Sequence, residues 1–177
     1  MKTFTLSMLF FLFFGEKMFC QNNHQIKVGV GFMSVLLWKT QSQTPYFFID
    51  YRYPLSEVVH IGLQTGYTTM SQDLSRYSVT PYGFNLIEGT EKNKIFIVMP
   101  GIDVRYFKSN NLSLYGNANF GVAFETITNT FNDPTEKRTE FTLQVNPIGL
   151  KYGNKVSAFL EAGIGINILN AGINVSL

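Results

Sequence analysis

Ile49-Asp50-Tyr51-Arg52-Tyr53 is written three times in this chain. Ile102-Asp103-Val104-Arg105-Tyr106 repeats it almost letter for letter, and Ile148-Gly149-Leu150-Lys151-Tyr152 repeats it with the acid lost and Arg softened to Lys. Each copy alternates apolar residues with polar or small ones, the period of two that sends successive side chains to opposite faces of a strand. Each copy then runs into turn residues: Pro54-Leu55-Ser56, Lys108-Ser109-Asn110-Asn111 and Gly153-Asn154-Lys155. Another alternating, glycine-rich run follows every turn, so the chain contains three strand–turn–strand units. That pattern predicts an all-β fold, an antiparallel up-and-down β-barrel.

Working outward, the count of strands reaches eight. In residues 26–35, Ile26, Val28, Val30 and Phe32 share one face, against Lys27, Gly29 and Gly31. Residues 36–44 lose the alternation and carry Trp38, which predicts a loop with an aromatic anchor. The first repeat copy lies in a strand over 46–53, ended by Pro54, which cannot donate to a ladder. A third strand covers 59–67. Residues 70–93 are the longest irregular stretch, and a loop this long in a compact domain is usually functional; its Tyr82, Phe84, Leu86 and Ile87 allow a strand extension or a fold over the barrel mouth. Further strands are predicted over 94–106, 112–125, 140–152, 156–166 and 171–177. Bulges are expected at Pro100-Gly101 and Pro147, a polar loop over 126–138 around Asn132-Asp133-Pro134, and a tight turn near residues 167–170. Short turns follow the second, fourth and sixth strands, and long loops follow the first, third and fifth.

At 177 residues the chain suits one domain. Only 15% of residues are charged, against about 25% in soluble domains. The mean hydropathy of +0.06 is far too low for a helical membrane protein and fits apolar and polar residues in alternation. The formal net charge of +2, with no basic cluster, gives no sign of a nucleic-acid partner. Residues 1–20 have the form of a cleaved signal peptide, with Lys2 ahead of an apolar stretch over 4–14 and a polar turn at Gly15-Glu16-Lys17. Cleavage before Gln21 leaves residues 21–177 as the barrel domain. Acylation of Cys20 is the competing reading, but Lys17-Met18-Phe19 lacks the small residues such a site needs. Cys20 is the only cysteine, so stability must come from strand pairing and packing.

The surroundings of the barrel follow from its two faces. A soluble carrier barrel would turn its apolar face inward, but the polar faces here are rich in Gly, Asn, Ser and Gln and too poor in charge for a soluble exterior. Tyr53, Tyr106 and Tyr152 close the apolar faces of three strands, as in the aromatic girdle of a transmembrane barrel; the plainer reading is that Tyr is a good strand residue. Together the leader, the glycine-punctuated strands and the apolar final residue Leu177 resemble the small outer-membrane β-barrel family of Gram-negative bacteria. The leader ending Phe19-Cys20-Gln21 and the strand Ile97-Val98-Met99-Pro100-Gly101 look most like the Bacteroidota versions. The resemblance covers residues 25–177 and rests on pattern rather than on an invariant motif. It implies a transmembrane barrel exported to the outer membrane, in contact with outer-membrane lipid. Families of this kind include lipid-modifying enzymes, adhesins, attachment or serum-resistance proteins, and accessory subunits of secretion or assembly machines.

An eight-stranded barrel is just wide enough inside for side chains to fill. The face assignment sends Asp50, Arg52, His60, Asp103, Arg105, Lys151 and Glu161 into the lumen, with Glu125 higher up. Buried charges must pair, so this set is expected to form a salt-bridged plug that fixes register and blocks flow; the competing reading is a polar path for small solutes. His60 with Asp50 or Asp103 and a nearby serine suggests a hydrolase triad. That reading fails on position: His60 follows a short turn and so sits at the periplasmic end, as does His24, whereas a lipid A substrate lies in the outer leaflet. Two histidines and no clustered carboxylates give no metal site, and the Gly29-x-Gly31 and Gly163-x-Gly165 pairs lack the helix that phosphate binding requires. The expectation is a non-catalytic barrel without cofactor, acting as an accessory subunit toward other outer-membrane proteins through its long loops or lipid-facing wall. A narrow pore and a lipid-modifying enzyme are the alternatives.

Overall fold

The computed structural model describes residues 24–33, 42–80, 83–130 and 135–177. The leader, Cys20, Trp38 and Asn132-Asp133-Pro134 lie outside the described residues. The described chain forms nine strand segments: β1 (Gln25–Met33), β2 (Ser42–Gln43), β3 (Tyr46–Pro54), β4 (Val59–Thr80), β5 (Gly83–Ser109), β6 (Leu112–Asn129), β7 (Glu136–Gly153), β8 (Val156–Gly165) and β9 (Asn167–Ser176). β2 and β3 share one place in the wall, since both pair with β4; Pro45 between them has no N–H to offer the ladder. The pairings run β1–β3–β4–β5–β6–β7–β8–β9 and return from β9 to β1, all antiparallel. The result is a closed, eight-stranded, up-and-down barrel without a free edge in its wall.

The two faces divide by polarity as the alternation demands. Val28, Ile49, Leu63, Ile102, Phe120, Leu143, Leu160 and Ile173, one from each place in the wall, point outward and are 40% to 56% exposed. Along β5 the apolar face from Phe96 to Tyr106 covers about 33 Å of strand at ~3.3 Å per residue. At a tilt of about 40° that is about 25 Å of height, the thickness of the apolar band on transmembrane barrels. Inside, Lys27, Arg52, Gln144 and Asn174 are fully buried. An apolar cluster of Tyr46, Phe48, Ile97, Met99, Phe159 and Ile166 also lies within the ring. On β3 and β5 these apolar residues precede the acids: Tyr46 and Phe48 come before Asp50, and Ile97 and Met99 before Asp103. They therefore lie on the long-loop side of the charges.

Several boundaries differ from those expected. Residues 70–93 are not a loop: β4 and β5 pair without interruption from Val59↔Val104 to Thr80↔Gly83. Strand alternation in this chain comes from an apolar outer face opposing a polar, buried inner face, and it vanishes where a ribbon has no buried face although the ladder continues. The same reason extends β6 to Asn129 and starts β7 at Glu136, shortening the loop expected over 126–138. The turn between β8 and β9 falls on Gly165, with φ +124, and Ile166. Positive φ is open to glycine at little cost, so the chain reverses there and residues 167–170 already belong to β9. Pro100-Gly101 carries no register shift, because Val98↔Val122 and Gly101↔Asn119 keep one register. The irregularity on β5 lies between Arg105 and Phe107 instead, and Pro147 does sit at a bulge, between Val145 and Ile148.

Candidate functional site

Lys27 occupies the centre of the lumen. Its Nζ donates to Asp103 at 2.7 Å and to Glu161 at 3.2 Å, and lies 3.8 Å from Asp50. Arg52 Nε stands 2.7 Å from Asp50 Oδ1 and 3.2 Å from Asp103 Oδ1, and its Nη2 donates to Asn119 at 2.6 Å. Two cations thus hold three acids drawn from β3, β5 and β8. Tyr115 donates its hydroxyl to Glu161 at 2.6 Å, and the Lys27 ammonium sits 4.6 Å from the Tyr115 ring centre. Asn146 bridges Asn117 and Glu161 at 2.9 Å and 3.0 Å. Charged groups in a water-poor interior persist only when paired and hydrogen-bonded, and here carboxamides supply the remaining partners.

The three repeat copies explain this arrangement. In the first two, the acid and the arginine point inward while the flanking apolar residues face out. In the third, Gly149 stands where the acid was. A side chain there would meet the Tyr115 ring, so the lost acid is replaced by an aromatic that reaches across to Glu161. Gly62 lies against the Tyr51 carbonyl and beside the aliphatic stem of Arg52, and a Cβ there would meet both. In a narrow barrel, glycine on one strand makes room for the large lumen residue of its neighbour.

The expected lumen residues fall into two groups. Asp50, Arg52, Asp103 and Glu161 meet in the central cluster. Arg105, Lys151 and His60 do not join its ion pairs; they lie nearer the short-turn mouth. Arg105 Nη1 donates to the Glu57 carbonyl at 2.8 Å, and Lys151 Nζ donates to Gln25 Oε1 at 2.6 Å. His60 Nε2 lies 3.3 Å from Gln25 Nε2. Ser113, His60 and Asp103 border one recess, but the geometry is not that of a triad. His60 is held by Gln25, and both Asp103 oxygens face Lys27 and Arg52. Sequence reading missed Lys27, although its alternation with Val28 already turned it inward; it also missed Tyr115, Asn117, Asn119 and Asn146, because uncharged residues carry no pairing signal.

Tyr53, Tyr106 and Tyr152 all face outward and are exposed. His24 packs edge-on to Tyr53, with ring centres 5.3 Å apart, and its Nδ1 lies 2.7 Å from the Tyr51 hydroxyl. Tyr106 sits at the β5 bulge, with its hydroxyl over Gly116 of β6. At the opposite end, β4 and β5 continue beyond their neighbours as a two-stranded ribbon. Among the described residues, the last β4 residue paired on its β2 side is Ser71, with Ser42, and the first pair of β5 with β6 is at Glu91. Phe84, Leu86 and Ile87 are exposed on that ribbon.

No family model matches the chain, and no curated protein matches it. Among solved structures, the N-terminal β-barrel domain of Pseudomonas aeruginosa OprF is similar, with a TM-score of 0.52 and 16% identity, over 89% of this chain and 98% of that one. Ail, the attachment invasion locus protein of Yersinia pestis, crystallised with the heparin analogue sucrose octasulfate, gives 0.47 and 17% identity over 86% and 96%. Ail in phospholipid bilayer nanodiscs gives 0.40 and 16% over 89% and 100%. The chain has the eight-stranded fold of outer-membrane β-barrels.

Proposed function

We propose that this protein is an integral outer-membrane β-barrel, closed to solute flow and without catalytic activity, that serves as an accessory subunit. The observation that carries the reading is the inverted polarity of the barrel. An apolar wall surrounds a lumen filled by an ion-pair cluster and an apolar cluster, an arrangement suited to lipid outside and to blockage within. On this reading residues 1–20 are an export signal, Tyr53, Tyr106 and Tyr152 form the girdle at the periplasmic interface, and lipid of the outer membrane is the first partner. The leader and the proline-centred β5 support a Bacteroidota-type member of the small Gram-negative barrels. The β4–β5 ribbon, with Phe84, Leu86 and Ile87 exposed, is the surface we assign to other outer-membrane proteins. Purification in mild detergent tests this: the unchanged protein is expected in a larger complex, and protein with Asn-Gly in place of residues 75–88 on its own. Identical migration of both as single barrels contradicts the accessory role. Altered lipid A on overexpression supports the enzyme alternative instead.

A further inference from the structure

The central cluster uses Lys27 and Arg52 and leaves the other inward cations without acids. Among the described residues neither Arg105 nor Lys151 has a carboxylate within ion-pairing distance. Both border a cavity of about 740 Å³ at the short-turn mouth, together with His60, Lys108 and Lys155 and a single acidic side chain, Glu57. A lysine ammonium has three donors and a guanidinium five. Lys151 spends one donor on Gln25 and Arg105 one on the Glu57 carbonyl, so donors of both remain to face the cavity.

Gln25 extends the pattern. Lysine only donates, so the Gln25 atom facing Lys151 is its carbonyl oxygen and the atom facing His60 is its NH₂. His60 Nε2 then accepts, which places the imidazole proton on Nδ1 and makes that nitrogen a further donor. His60, Arg105, Lys151 and Ser113 border one water-sized recess at the inner end of the mouth. Asp103 also borders it, but its oxygens are turned to Lys27 and Arg52. A guanidinium fork beside an ammonium suits the several acceptor oxygens of a phosphate-type anion.

We propose that the short-turn mouth of the barrel binds a small oxyanion of the phosphate class, held by Arg105 and Lys151. The proposal rests on the barrel's geometry and not on the accessory role. The oxyanion is either free phosphate or the phosphate of a lipid headgroup, and two titrations separate them. The full chain in maltoside micelles at low ionic strength is titrated with inorganic phosphate, and in parallel with a short-chain phosphatidylglycerol, with binding read by ³¹P line broadening. Arg105→Gln and Lys151→Gln are each expected to weaken binding about tenfold. Lys92→Gln, at the other end of the barrel, is expected to leave it unchanged. Heat-modifiable migration on a gel checks the fold, and half-exposed Arg105 carries the test if Lys151→Gln does not refold. Saturable binding of inorganic phosphate assigns the soluble source; binding of the lipid alone assigns the headgroup. Absence of saturable binding by either, or equal binding by Arg105→Gln, overturns the proposal.

Discussion

Lys27 is the residue on which the lumen's charge balance turns. Replacing it with Met leaves Asp50 and Asp103 to Arg52 alone and Glu161 without its cation, and breaking one side of a buried ionic set costs about 3–5 kcal/mol. Lys27→Met is therefore expected to lower the urea midpoint of the folded, heat-modifiable form sharply, whereas Lys155→Met, at an exposed turn, leaves it unchanged; equal midpoints contradict the central role of Lys27. Gly149 is the second test at this scale. Gly149→Val drives a side chain into the Tyr115 ring, and overpacking of this kind costs about 1–3 kcal/mol. The substitution is expected to shift the urea midpoint down, while Gly83→Val, on the ribbon where a Cβ meets nothing, strains only the turn and leaves the barrel midpoint in place. Sequence reading found the acids and Arg52 because strand alternation fixes direction. It turned Arg105, Lys151 and His60 inward but grouped them with the central charges, because alternation says inward or outward and nothing about height along the axis, and height decides which inward charges meet.

Among the elements, the strands of the closed wall were legible and their continuations were not. β3 alternates cleanly because one face is the apolar outer wall and the other is the buried lumen. Beyond Ser71, β4 keeps its ladder with β5 but loses that contrast, so Ser, Thr and Asp there read as loop although the backbone is strand. The turn at Gly165-Ile166 was hidden for a related reason. Asn167 and Asn170 have turn chemistry but serve as buried lumen residues, with the Asn167 N–H donating to Gln144 at 2.7 Å. Because the ribbon is supported by no strand beyond its own pair among the described residues, its removal is expected to cost the barrel little. Protein in which Asn-Gly, a favoured two-residue hairpin turn, replaces residues 75–88 and so joins the paired Leu74 and Gly89 should refold into micelles and keep heat-modifiable migration. Failure to refold would make the ribbon part of the folding unit.

For the whole molecule, the inverted polarity makes the wall and the lumen answer to different solvents. Ile173 points outward from β9 at mid-strand. Ile173→Arg is expected to destabilise the protein in lipid by about 2–4 kcal/mol, the cost of a charge near the bilayer midplane. A cost near zero would mean that the wall does not face lipid. This level of the fold was plain in the threefold repeat, whose Ile and Tyr face out while its acids and cations face in. The packing of the lumen, by contrast, depends on contacts between residues far apart in sequence, such as Lys27 with Glu161, and no local pattern reports them. That this packing closes the lumen to solutes is the claim on which the proposed function most depends. Single-channel recording of the purified, heat-modifiable protein in planar bilayers tests it most directly. The account expects no stepwise current across the voltage range; steady unitary currents that disappear when Arg52 or Lys27 is changed would contradict it.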